Sequence, residues 1–143
     1  MNKNGAIIII EDDIDDQEIF SDVFKELNYK NEIVFFNDGQ EALTYLFAKT
    51  TEPFIVFSDI NMPKLNGLEL RKQIHENKDI RIKTIPYLFF TTSAAQESVV
   101  DAYSKSIQGF FVKPSNFQDL KSTMKIIIEY WQKCQGYRMN NNW

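Results

Sequence analysis

Five short apolar runs, each stopped by polar residues, constrain this 143-residue chain more than any other feature. Residues 6–10, AIIII, are uninterrupted and almost wholly β-branched, the pattern of a strand covered on both faces. Residues 33–36, 54–58, 87–90 and 110–112 repeat it. Between the runs the apolar spacing changes from continuous to helical. Ile19, Phe20, Val23, Phe24 and Leu27 predict a helix over 15–27, and Ala42, Leu43, Leu46 and Phe47 another after Asp38. Leu70 and Ile74 place a third over 67–75, and Val99, Val100 and Tyr103 a fourth over 95–104. Phe117, Leu120, Met124, Ile127, Ile128 and Trp131 mark a long last helix. Residues 76–84 are expected to be a charged connector.

Strand and helix thus alternate five times. That predicts an α/β fold, a doubly wound five-stranded parallel sheet with helices on both faces and right-handed crossovers. The expected organisation is one domain over 1–134 and a polar tail over 135–143, with no second domain after Trp131.

The charge balance excludes some functions. Twenty acids against 16 basic residues give a net charge of −4. With no basic patch, direct nucleic-acid binding is not expected. The lone Cys134 cannot form an internal disulfide and reads as unreactive. The apolar run near the N-terminus is cut off by Glu11-Asp12-Asp13, too short for a signal peptide. No stretch is long enough for a membrane span, so a cytoplasmic protein is expected.

The strand ends carry the chemistry. The first run ends in Glu11-Asp12, the third in Asp59, the fourth in Thr91 and the fifth in Lys113. In a doubly wound sheet these carboxyl ends share one edge. Three carboxylates there would repel by about 4 kcal/mol per pair at 4 Å and an effective dielectric near 20. A protonated carboxyl, the Lys113 ammonium or a divalent cation would offset this. An oxygen-only site with room for water suits Mg²⁺. Asp59 as nucleophile, a metal, and donors at Thr91 and Lys113 together make a site for phosphoryl transfer.

With IIIIEDD, FSDINMPKLNG, PYLFFTTS and GFFVKP in this order, the chain resembles a response-regulator receiver domain over about residues 7–131. The resemblance implies the flavodoxin-like strand order 2-1-3-4-5. It implies that Asp59 is the phosphoacceptor, fed by a sensor histidine kinase or a phosphotransfer protein. Asp12 would ligate Mg²⁺ directly, Glu11 through a water, and Asn61 through its backbone carbonyl. Thr91 and Lys113 would bind the phosphoryl oxygens, and Phe110 would be a switch aromatic. A cis peptide before Pro114 is also implied. The readout face would comprise the fourth predicted helix, the fifth strand and the fifth predicted helix, with Val99, Val100, Tyr103 and Ile107 as its apolar residues. An unidentified downstream protein would bind there, and a homodimer through those two helices is one arrangement the resemblance allows.

The chain departs from the family pattern at Glu11, one methylene longer than aspartate, at the bulky Thr92, and at Phe110 in place of the commoner tyrosine. Asn61 and Ser93 fall where the family tunes the lifetime of the phosphoryl group. Plainer readings accompany these. Asp13, Asp15 and Asp16 read as helix caps and solvated charges, His75 as an exposed helix-end residue, and Lys113-Pro114 on its own as a turn. Two other functions stand beside the leading one, that of a single-domain response regulator. One is a phosphorylation-independent scaffold of the same fold. The other is a hydrolase with an aspartyl intermediate, disfavoured because Asn61 stands where such enzymes carry a second acid. On the leading reading the chain is not an enzyme beyond Mg²⁺-dependent self-phosphorylation and slow loss of the group.

Overall fold

The structure, a computed structural model, describes residues 2–48, 52–92 and 96–136. Ser93, Tyr137 and Trp143 lie outside them. Strands β1 (Ile7–Ile10), β2 (Ile33–Phe36), β3 (Ile55–Ser58), β4 (Tyr87–Thr91) and β5 (Gly109–Val112) form one sheet. All its pairings are parallel, in the order β2-β1-β3-β4-β5. The helices are α1 (Ile14–Leu27), α2 (Gly39–Phe47), α3 (Gly67–Glu76), α4 (Ile80–Lys83), α5 (Gln96–Ser104) and α6 (Phe117–Lys133).

The continuous apolar runs serve both faces of the sheet because side chains alternate along a strand. Ile7, Ile9, Ile55, Phe57, Leu88 and Phe90 point to a core shared with α1 and α6. Ile8, Ile10, Val56, Tyr87 and Phe89 point to the opposite core, closed by α2, α3, α4 and α5. Much of the phenylalanine content is used here. Phe90 meets Phe20 and Phe57 edge-on and stacks on Phe111 at 4.9 Å, while Phe89 lies 5.8 Å from Phe110 on the other face. Each fully buried ring is worth about 1.5–3 kcal/mol of transfer free energy.

Helix starts follow local capping chemistry. Asp13, Asp38, Asn66 and Asn116 accept the N–H of Asp16, Glu41, Glu69 and Asp119, satisfying donors the helix leaves open. The expected connector over 76–84 contains the extra turn α4, capped by Asp79 and anchored by buried Ile82. The fourth and fifth helices expected from sequence are therefore α5 and α6.

Two further expectations change, both outside the loop after β3, where Asn66 caps α3 at Gly67 and Lys64 takes the left-handed conformation. Ile107 is 7% exposed and belongs to the core beneath α5, because the turn after the helix folds it under. The Lys113–Pro114 peptide is trans, as no described peptide is cis. Lys113 turns inward without that isomer, its N–H donating to the Thr91 carbonyl at 2.7 Å.

Candidate functional site

Strand register builds the site. Ile10 pairs with Ser58, so the residues that follow, Glu11 and Asp59, leave the sheet side by side. The Asp59 N–H donates to the Ile10 carbonyl at 3.0 Å, and the Glu11 N–H to that of Phe36 at 2.9 Å. Thr91 pairs with Val112, which brings Lys113 over the same edge. The loop after Asp59 is closed by the Gly67 N–H donating to the Ile60 carbonyl at 2.8 Å. Gly67 is required there, since a Cβ would fall 2.1 Å from the Asp59 carbonyl oxygen.

Lys113 is the centre of the charge arrangement. Its ammonium donates to Glu11 Oε1 at 2.7 Å, to Asp16 Oδ2 at 2.7 Å and to Asp59 Oδ2 at 3.2 Å. The other Asp59 oxygen, Oδ1, accepts the Ile60 N–H at 2.7 Å. Glu11, Asp12 and Asp59 each bring one carboxylate oxygen within 4.8 Å of the others. Glu11 is buried, Asp12 exposed and Asp59 between the two. Thr91 ends β4 with 1% exposure, and Asn61 is exposed on the loop beyond Asp59. Phe110 is half-buried, packed with the core on the α2–α5 side of the sheet.

Burial pushes the Glu11 carboxyl up to about 9, and contacts with the Asp16 and Asp59 carboxyls add to this. Lys113 pulls it down, but by less. Burial would lower the Lys113 ammonium, yet its bonds to Asp16 and Glu11 outweigh that and raise it, so it stays charged. Burial would raise Asp16, but its contacts with Glu11 and Lys113 hold it below the usual range. One cation thus faces three carboxyl groups, and the raised Glu11 carboxyl answers their mutual repulsion by keeping its proton; a divalent cation would relieve the same repulsion.

The residues present fit such a cation. Glu11 Oε2 is buried and has no hydrogen-bond partner among the described residues, an oxygen left over beside the other two acids. The neighbouring acceptors are carboxylate oxygens with solvent on the Asp12 side, which suits Mg²⁺ or Mn²⁺ rather than a thiolate-seeking metal.

Asp16 is the participant that sequence reading missed. The sequence reads it, with Asp13, as a helix cap or a solvated charge. The Asp13 side chain does accept the Asp16 N–H at 3.0 Å, but the Asp16 carboxylate goes to Lys113 instead of back to the cap. The available signal was its position in the first turn of α1. Helical side chains lean toward the helix N-terminus, which here overhangs the sheet edge.

A doubly wound parallel sheet with a carboxylate at the end of its central strand, flanked by an acid pair and a lysine, defines a class of α/β domains with an acidic site at the carboxyl edge of the sheet. The model of the response regulator receiver domain matches residues 7–125, and the chain belongs to that family. It therefore has a role in two-component signalling. It is 32% identical over 129 residues to the probable methanogenesis regulatory protein FilR2 of Methanothrix harundinacea, covering 87% of this chain and 82% of the relative. It is 30% identical over 129 residues to the chemotaxis protein CheY-3 of Vibrio cholerae, covering 90% and 95%. Among solved structures, the Mn²⁺-bound form of response regulator Rcp1 superposes with a TM-score of 0.80 at 25% identity, covering 93% and 99%. No helix among the described residues is long and apolar enough to cross a membrane.

Proposed function

We propose that the chain is a phosphorylation-switched response-regulator receiver that accepts a phosphoryl group on Asp59 from the phosphohistidine of a sensor kinase or phosphotransfer protein. The observation that carries this is the convergence of Lys113 and the acid group on the Asp59 side chain. The chemistry is group transfer by positioning and charge, with little covalent work for the protein beyond the nucleophile. Asp59 supplies the attacking oxygen, and the Ile60 N–H orients the carboxylate by holding its Oδ1. Glu11, Asp12, Asp59 and the Asn61 carbonyl would hold Mg²⁺, which when bound neutralises the acids and offsets charge on the transferring group. Lys113 and the Thr91 hydroxyl bind phosphoryl oxygens, and Phe110 follows Thr91 by changing rotamer against Phe89.

Output then runs through protein contacts. Val100 and Tyr103 on α5 and Val112 on β5 are exposed apolar residues on one side of the molecule. They offer a face to a downstream protein, and a second copy of the chain would compete for it. The working compartment on this reading is the cytoplasm. Catalysis in the chain's own right is limited to Mg²⁺-dependent self-phosphorylation and slow hydrolysis.

The test is labelling by a small acyl phosphate with Mg²⁺, read by intact mass. Wild type should gain one phosphoryl group and Asp59→Asn none. Undiminished labelling of the variant would reject Asp59 as the acceptor.

A further inference from the structure

An ammonium has three hydrogens to donate, and the described partners of Lys113 use all three. Two of those bonds, to Glu11 and Asp16, are 2.7 Å long, and the third, to Asp59, is 3.2 Å. A phosphoryl group on Asp59 adds about −1.5 to −2 charge and three acceptor oxygens. Lys113 can bond to it only by giving up a present partner. Glu11 is buried on the sheet edge and belongs to the cation-binding acids. Asp16 does not: it reaches Lys113 from α1, and its side chain is 29% exposed. Water can therefore replace the ammonium at Asp16 at small cost. The helix start does not depend on the Asp16 carboxylate, because the Asp13 side chain caps α1 through the Asp16 backbone N–H.

We propose that Asp16 is a positioning residue that holds Lys113 in the unphosphorylated chain and must release it when a phosphoryl group arrives on Asp59. The inference rests on the phosphoacceptor reading and adds a residue to it. In the transfer, a carboxylate oxygen of Asp59 forms a bond to phosphorus. The bond from phosphorus to the donor atom breaks, an imidazole nitrogen in a phosphohistidine or the bridging oxygen in an acyl phosphate, and the leaving group keeps that electron pair. No proton need move. Asp16 opposes the step in two ways: it occupies the ammonium that would bind the product, and its charge repels the incoming dianion. Both effects have the same sign.

Asp16→Asn keeps the shape and the backbone cap and removes the charge. With acetyl phosphate and Mg²⁺, this variant should be phosphorylated about 3- to 10-fold faster than wild type at low salt, chiefly through a lower KM for the donor. The advantage should shrink toward wild type in 1 M KCl, where exposed charges are screened. Asp16→Glu should stay near wild type. A merely structural role would show neither the salt dependence nor the rescue by glutamate. In metal-free wild type, NMR of the labelled Lys113 ammonium should show slow hydrogen exchange, and Asp16→Asn should speed it. In wild type with Mg²⁺, adding beryllofluoride as a phosphoryl mimic should shift the Asp16 carboxylate resonance, a readout that needs no variant to fold. Equal or slower phosphorylation of folded Asp16→Asn, or an unmoved Asp16 resonance, overturns the proposal. If wild type itself takes no label, the acceptor reading fails first and this one with it. If wild type labels normally and Asp16→Asn matches it at every salt concentration, only the role of Asp16 is lost.

Discussion

Glu11→Gln should make the metal-free protein more stable at neutral pH, although it removes a partner of Lys113. Glu11 is 2% exposed, and burial among acids raises its carboxyl from the ordinary 4.5 to about 9. A group whose folded pKa is raised contributes stability that is complete below the unfolded value and is lost as pH rises toward the folded one. From 4.5 to 7 the loss is about 1.4 kcal/mol per pH unit, so about 3 kcal/mol is the ceiling at neutral pH. Glutamine never ionises and avoids that loss. The weakened contact with Lys113 returns part of the gain, since the ammonium keeps Asp16 and Asp59. The expected net effect is about 1–3 kcal/mol, or roughly 3–10 °C in Tm for a domain of this size. The assay is thermal unfolding by circular dichroism in EDTA from pH 4.5 to 9. The gap between variant and wild type should be small at pH 4.5 and widen to about pH 9. With 10 mM MgCl₂ the order should narrow or reverse, because wild type gains a ligand the variant binds poorly. A variant less stable than wild type at pH 8 in EDTA, or a gap independent of pH, would refute the reasoning.

Lys113→Ala should destabilise the metal-free protein by about 2–4 kcal/mol, because it strands three acids. It should also tighten Mg²⁺ binding several-fold by calorimetry while slowing phosphorylation. Gly67→Ala should cost about 2 kcal/mol or more in urea unfolding and reduce labelling of Asp59, since its Cβ would meet the Asp59 carbonyl oxygen at 2.1 Å. A fall in stability with labelling intact would show that the loop yields elsewhere. Arg71→Met should cost about 2–4 kcal/mol despite the apolar surroundings. Arg71 is 2% exposed and donates to the carbonyls of Lys105 and Ser106, both at 2.9 Å. Unchanged chemical stability would show that those carbonyls find water.

The sheet was legible because a doubly covered strand leaves no polar position inside it, so each run announced both its length and its end. Asp59, Glu11, Asp12 and Lys113 were legible for the same reason: each stands one or two positions after the last apolar residue of a strand. The structure gathers them as the runs predict. Asp16 was not legible, because its partner lies 97 positions away and the contact depends on helix phase and on the reach of a lysine. Nor was Arg71. Within GLELRKQ it reads as one more surface charge, and only the packing of α3 against Tyr87 and the turn at 105–106 buries it. The short helix α4 was hidden by its charges, with Ile82 the single residue that ties it to the core.

Arg71 fixes the turn that leaves α5, its Nε donating to the carbonyl of Lys105 and its Nη2 to that of Ser106. A rod clamped at one end can only swing about the clamp, and its travel grows with distance along its length. For α5 the far end is at Gln96, a few residues beyond Thr91. A displacement of a fraction of an ångström begun at Thr91 would therefore tilt the whole helix. Val100, near its middle, would move further than Tyr103, close to the pivot.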